Sequence, residues 1–406
     1  MGFFSNNIAN ISNIDHTNRV THIYRTSESP MSQQFDDALA LPLVAACDEI
    51  ITKDRLQAVI TSGDTERPLA IQGLDLCDMT ESIVDHDWPQ TVFLGCPMTE
   101  RATAHARTSG ATVFPPFGDI PYNPYRGALY SPAELRTGGL DEAIYRHQAV
   151  WRDSPPPPIL EALAQRIHDH AIDNALTGYL EDHPRVVAIM GGHSLKRDAQ
   201  TYRTVALIAR ALTQAGHLVV TGGGPGAMEA GNLGAWLSTA PQEALGDAID
   251  TLRAATDFST QAYLDASIEV VERYPEGAES LAIPTWFYGH EPTNDFATAV
   301  AKYFSNSIRE DGLLAIATHG VIYTPGAAGT VQEVFMDATQ NHYDVFGVIS
   351  PMVFVDSAYW ADDRLGAPKL LRQLAGDRPY SDLIGVFDSP DDVVNFIESH
   401  PPIIDS

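Results

Sequence analysis

The sequence predicts an α/β protein: a doubly wound parallel sheet carrying the functional residues, with an additional N-terminal α/β domain. Two observations lead there. Short apolar runs such as VVAIM (186–190) are continuous rather than alternating, as expected of parallel strands covered on both faces. They alternate with segments whose apolar residues recur at helical spacing, so that strand, helix and strand fit within about 35 residues, the size of one βαβ unit.

The elements follow in order. In the N-terminal part, TVFLGCP (91–97) and ATVFPPF (111–117) read as strands flanking a short helix, MTERATAHARTSG. DIPYNPYRGALYSPAEL, rich in tyrosine and proline, reads as irregular. SPPPPILEAL (154–163) is the clearest punctuation, because consecutive prolines favour a stiff extended segment. It sets the expected division: an N-terminal α/β wing over 1–160, for which a regulatory role is the expectation, and a second domain over 161–406 that carries the glycine loops. After VVAIM, the residues Tyr202, Val205, Ile208, Ala209 and Leu212 mark a helix with Gly216 as its C-terminal cap. HLVV (217–220) is the next strand, and GVIYT, VFGVI, MVFV and LIGVF follow. The stretch near 240–290 reads as a mostly helical insertion. The last helix begins at SPDDVVNFI, with Ser389 as N-cap, Pro390 at the first position and acids in the first turn.

Composition narrows the function. The 406 residues carry a formal net charge of −28, which repels phosphate backbones and argues against a nucleic-acid polymer as partner. No apolar run reaches membrane-spanning length, and the first twenty residues lack the basic start and apolar stretch of a secretory leader. Three cysteines, Cys47, Cys77 and Cys96, share no metal-type spacing and fit reduced thiols in a cytoplasm. No His/Asp/Glu set has metal-site spacing either, so neither metal nor cofactor is expected.

In an open α/β sheet, ligands bind beyond the carboxyl ends of the strands. Three such ends carry small or polar residues: MGGHSLKRD (190–198), TGGGPGAMEAGN (221–232) and TPGAAGTVQE (324–333). In the last, loop amides and the Thr330 hydroxyl make an anion cradle at a helix start, and Glu333 lies one turn in. Glu333 reads equally as a first-turn acid complementing the helix dipole or as a group acting on whatever the anion is attached to. Gly222, Gly224 and Ala227 satisfy a relaxed dinucleotide fingerprint, but the acidic ribose-binding position has no strand to sit on, which weakens an NAD-dependent oxidoreductase.

The paired glycine loops resemble the Lonely Guy (LOG) family, often labelled possible lysine decarboxylase. Pro325, Gly326, Gly329, Thr330 and Glu333 stand in register with its signature P-G-G-x-G-T-x-x-E, and GGHSLKRDAQTY is similar to its first loop through Ser194 and Tyr202. The likeness covers roughly 185–398 apart from the insertion. It implies a Rossmann-like fold and hydrolysis of the N-glycosidic bond of a nucleoside 5′-monophosphate to free base and ribose 5-phosphate. It also implies Arg309 and Glu333 as catalytic residues, and Gly192, Ser194, Gly223, Gly224, Gly226, Met228, Glu229, Gly326, Gly329 and Thr330 as substrate-binding residues. A homodimer or higher homo-oligomer is implied too. The alternative on the same fold is a non-catalytic carrier or sensor of a nucleotide or related phosphorylated ligand. A pyridoxal phosphate enzyme is rejected, because none of Lys53, Lys196, Lys302 and Lys369 sits in a glycine loop at a strand end.

Two departures bear on this. Ala327 replaces the third signature residue, and a positive φ there would cost about 1 kcal/mol or more. Arg309 lies sixteen residues before Pro325 (325 − 309), where the family has about fifteen. The rival stretch GHEPTND offers His290 and Glu291 but has proline in the arginine's place. His193 and His290 read as loop or partly buried residues rather than ligands.

Overall fold

The computed structural model describes residues 47–152, 156–289, 291–361 and 363–404. The chain divides into two compact units at Pro116/Phe117, ahead of the proline run at which the sequence suggests a boundary. The reason lies in residues 117–152, which pack onto the second unit. Tyr130 and Val300 exchange backbone hydrogen bonds at 3.0 and 2.8 Å, and buried Asp141 pairs with Lys302 at 2.7 Å.

The first unit is a parallel sheet in the order β1 (Asp48–Ile50), β2 (Leu69–Gln72), β3 (Val92–Leu94) and β4 (Thr112–Phe114). Between them run α1 (Lys53–Ser62), α2 (Thr80–Val84) and α3 (Glu100–Thr108). Thr52 and Thr99 cap α1 and α3 through their side chains, supplying acceptors for otherwise unpaired first-turn N–H groups. Ile50, Leu56, Leu69, Ile71, Trp88 and Phe93 form the core of this unit.

The second unit opens with α4 (Pro132–Arg136), α5 (Leu140–Arg152) and the long α6 (Ile159–Leu180). The alternating elements then follow: β5 (Val186–Met190), α7 (Gln200–Gln214), β6 (Leu218–Thr221), α8 (Ala227–Trp236), α9 (Ala244–Leu252), α10 (Gln261–Arg273), β7 (Ser280–Ala282), β8 (Ala299–Val300), α11 (Asn306–Ile316), β9 (Val321–Tyr323) and α12 (Ala328–Tyr343). The chain closes with β10 (Val348–Ile349), β11 (Met352–Val355), α13 (Ala367–Ala375), β12 (Ile384–Phe387), α14 (Pro390–Ser399) and β13 (Ile403–Ile404). Seven strands form one parallel sheet in the order β12-β11-β9-β5-β6-β7-β8. Winding runs outward from β5 to β8, then restarts at β9 on the other side. The switch point lies between β5 and β9.

The continuous apolar run of β5 has a direct cause. Val186, Ala188 and Met190 pack into one core layer, while Val187 and Ile189 pack into the other. The sheet is therefore covered on both faces, and the fold is a doubly wound, Rossmann-like one. Two expectations change. The stretch near 240–290 holds helices α9 and α10, but it also contains β7, a strand of the main sheet. Three residues, Ser-Leu-Ala, are too few to show a strand periodicity. VFGVI yields only β10, which leaves the main sheet and pairs antiparallel with β13. No helix among the described residues is long and apolar enough to cross a membrane.

Candidate functional site

A cavity of about 280 Å³ opens at the carboxyl ends of β5, β6 and β9. The loop after β5 supplies Gly191, Gly192 and His193, that after β6 supplies Gly222, the first turn of α8 supplies Met228, and the α12 start supplies Ala327, Gly329 and Thr330. Backbone bonds hold the three loops together. Gly192 N–H donates to Pro325 O at 3.0 Å, Ala227 N–H to Gly192 O at 3.2 Å, and Thr324 N–H to Met190 O at 2.9 Å. Gly226 allows this closeness: its φ is +73°, and an added Cβ would overlap the carbonyl oxygen of Gly192.

The two glycine corners differ in what they leave free. At the β6 corner the amides are engaged: Gly223 N–H with Thr221 Oγ1 at 3.1 Å, Gly224 N–H with Met228 Sδ at 3.4 Å, and Ala227 N–H with Gly192 O. At the β9 corner no side chain caps α12. The first in-helix donor there is Val331, bonded to Ala327 O at 3.2 Å. The N–H groups of Ala328, Gly329 and Thr330 precede the helical ladder and have no helical acceptor. The helix dipole adds partial positive charge at the same point. The Tyr359 hydroxyl donates to the Gly326 carbonyl and fixes the corner from outside. Ala327 has φ −107°, ordinary extended backbone, so alanine is accommodated there without strain.

Arg309 on α11 and Glu333 on α12 face each other across the cavity wall, with Nη1 3.5 Å from Oε1. Their side chains are 10% and 13% exposed. The guanidinium is held from behind by Ile283 O, at 2.8 Å from Nε, and by Gly222 O, at 3.5 Å from Nη2. Gly222 is bare for this reason: a Cβ there would overlap the guanidinium. The start of α11 is fixed by Asp169 of α6, whose carboxylate accepts from the N–H groups of Phe304 and Ser305 at 2.9 Å each. Burial pushes the Glu333 carboxyl above its ordinary value; Arg309 opposes the shift and nearby Glu310 adds to it. One turn further along α12, buried Asp337 accepts a 2.7 Å bond from Tyr323 and is pushed up to about 7 by desolvation.

Of the residues singled out from sequence, Gly192, Met228, Arg309, Gly329, Thr330 and Glu333 line this cavity. Gly223, Gly224, Gly226 and Gly326 shape the corners without lining it. Ser194 lies in an exposed turn, away from the lining. Glu229 is also elsewhere: it is buried and held by Arg197 at 2.9 and 2.5 Å and by the Tyr202 hydroxyl at 2.8 Å. Arg197 reaches on to Ala255 O, Tyr263 O and Ser267 Oγ, so the pair fastens α10 to the first loop. His193 lines the cavity and His290 lies outside the described residues. Sequence reasoning did not assign Thr285, Tyr288 or Glu310 to the site. They arrive from the β7–β8 connection and from α11 and belong to no motif, so only tertiary contact reveals them. Among the described residues no cluster suited to a metal ion is found.

No protein-family model matches the chain, and no curated protein matches it. Among solved structures the chain is similar to the molybdenum cofactor binding protein of the phototrophic bacterium Rippkaea orientalis, at 14% identity over 53% of this chain and 96% of that one, with a TM-score of 0.34. It is also similar to the molybdenum cofactor carrier protein of Chlamydomonas reinhardtii, at 14% identity over the same shares, with a TM-score of 0.32.

Proposed function

We propose that this protein is a nucleoside 5′-monophosphate N-glycosidase of the Lonely Guy type. One observation carries the reading: the Arg309–Glu333 pair lies in the wall of the same cavity that the uncapped start of α12 enters. The free N–H groups of α12 and the Thr330 hydroxyl receive the 5′-phosphate. Glu333 then faces the ribose. As the C1′–N bond breaks, its electron pair leaves with the base and positive charge develops on the ribose. The Glu333 carboxylate stabilises that charge and takes a proton from the attacking water, whose oxygen forms the new bond to C1′. The proton that Glu333 takes from the water passes on through solvent to the departing base, which restores the carboxylate, and the products are free base and ribose 5-phosphate. Arg309 keeps the carboxylate ionised against the burial that favours its neutral form. Activity therefore falls as pH drops through the raised Glu333 value. The same reading makes the protein a cytoplasmic homo-oligomer, which light scattering on the purified chain checks.

The test is incubation with a panel of nucleoside monophosphates followed by separation of bases from nucleotides. Base release that drops roughly 10²–10⁴-fold in Glu333→Gln, with the melting temperature preserved, supports the reading. Tight nucleotide binding without turnover across the panel assigns a carrier instead.

A further inference from the structure

The cavity has an electrostatic imbalance that a phosphate site alone does not account for. Its lining holds the carboxylates of Glu291, Glu310 and Glu333 against the single guanidinium of Arg309. Two of the three acids are committed. Glu333 faces Arg309. Glu310 accepts from Gln332 Nε2 at 2.9 Å and from the Tyr288 hydroxyl at 3.4 Å. Glu291 is half-buried and has no hydrogen-bond or ion-pair partner among the described residues. Its Oε2 lies over the β6 corner, 2.7 Å from where a Cβ on Gly224 would stand.

We propose that Glu291 reads the base of the nucleotide, and that the base it selects is guanine. The inference rests on the nucleotide reading of this cavity. The β6 corner is two strand spacings from the β9 corner across β5, about 10 Å. A nucleoside monophosphate with its phosphate on α12 bridges that separation and brings its base to Glu291. Tyr288 stands on the same wall with its hydroxyl fixed by Asn306 Nδ2 at 2.8 Å, and its ring offers a face for the base to stack on.

The choice of base follows from donor and acceptor counting. An ionised carboxylate only accepts, and it has two oxygens side by side. Guanine presents two adjacent donors on its Watson–Crick edge, the ring N1–H and the exocyclic amine, and satisfies both oxygens at once. Adenine places a lone pair at N1 beside its amine, so one oxygen meets repulsion. Hypoxanthine keeps the N1–H but lacks the amine. Cytosine, like adenine, sets a lone pair beside its amine.

The experiment compares kcat/KM for base release from GMP, IMP, AMP and CMP by the full-length protein, its Glu291→Gln variant and its Glu291→Ala variant. Wild type is expected to favour GMP over AMP by roughly 10–100-fold, the discrimination typical of one bidentate contact. A glutamine amide accepts once and donates once, matching the amine and N1 of adenine, so Glu291→Gln is expected to turn the preference toward AMP. Glu291→Ala is expected to lose the guanine preference without gaining one for adenine. A purely structural role for Glu291 would lower all substrates alike. Turnover without guanine preference in wild type, or an unchanged preference in Glu291→Gln, overturns the base assignment and leaves the glycosidase reading standing. No base release and no binding of any monophosphate overturns that reading, and the base assignment with it.

Discussion

Asp337 makes the pH dependence of stability a quantitative test of the packing beneath the site. The group is 2% exposed, accepts from the Tyr323 hydroxyl at 2.7 Å, and has its carboxyl raised from 3.8 to about 7. The sign follows from linkage. A carboxyl with a higher value in the folded state contributes stability that is fully present below the unfolded value and is lost as pH rises through the folded one. The full loss is the 3.2-unit difference (7 − 3.8) at 1.36 kcal/mol per unit, about 4 kcal/mol. Part of it is already gone at pH 5, where the unfolded chain has ionised. Between pH 5 and 8.5 about 3 kcal/mol remains to be lost. Asp337→Asn keeps an acceptor for Tyr323 and cannot ionise. The assay is urea denaturation of wild type and variant at both pH values. Other titrating groups cancel in the double difference, so the variant should gain about 3 kcal/mol on wild type from pH 5 to 8.5. Parallel pH profiles for the two proteins would refute the reasoning and place Asp337 in contact with water or an unseen cation.

Three further substitutions test the site's construction. Gly222→Ala inserts a methyl group where the Arg309 guanidinium lies, so base release should fall roughly 100-fold, as for an ångström-scale misplacement, with melting little changed. Ala327→Gly relieves no strain at φ −107° and only loosens the unfolded chain, so the urea midpoint should drop by the equivalent of about 0.4–1 kcal/mol; a gain would show that the alanine is strained. Arg197→Met leaves the Glu229 carboxylate buried and unpaired, and should cost about 3–5 kcal/mol of stability in the same assay.

Much of the second unit was legible because its strands are buried on both faces. VVAIM, MVFV and LIGVF could be placed as parallel strands, and β5, β11 and β12 fall there. The short strands β7 and β8 were not legible, since two or three residues carry no period. Residues 119–135 read as irregular and all of 117–152 as part of the N-terminal wing, whereas α4 and α5 form there and the segment joins the second unit, because that attachment depends on Tyr130 meeting Val300 and Asp141 meeting Lys302, contacts more than 150 positions apart.

The sequence by itself determined the strand-end loops and the helix starts that follow them, because glycine, proline and threonine act on the backbone within a few residues of where they stand. Tertiary structure decided which amides stay free, since the β6 corner spends its donors on Thr221, Met228 and Gly192 while the α12 start does not. It also turned Glu229 inward to Arg197 and brought Tyr288, Glu291 and Glu310 to the cavity. The physical reason is range: local conformation is set by neighbours along the chain, whereas charge pairing and burial depend on residues that only folding brings together.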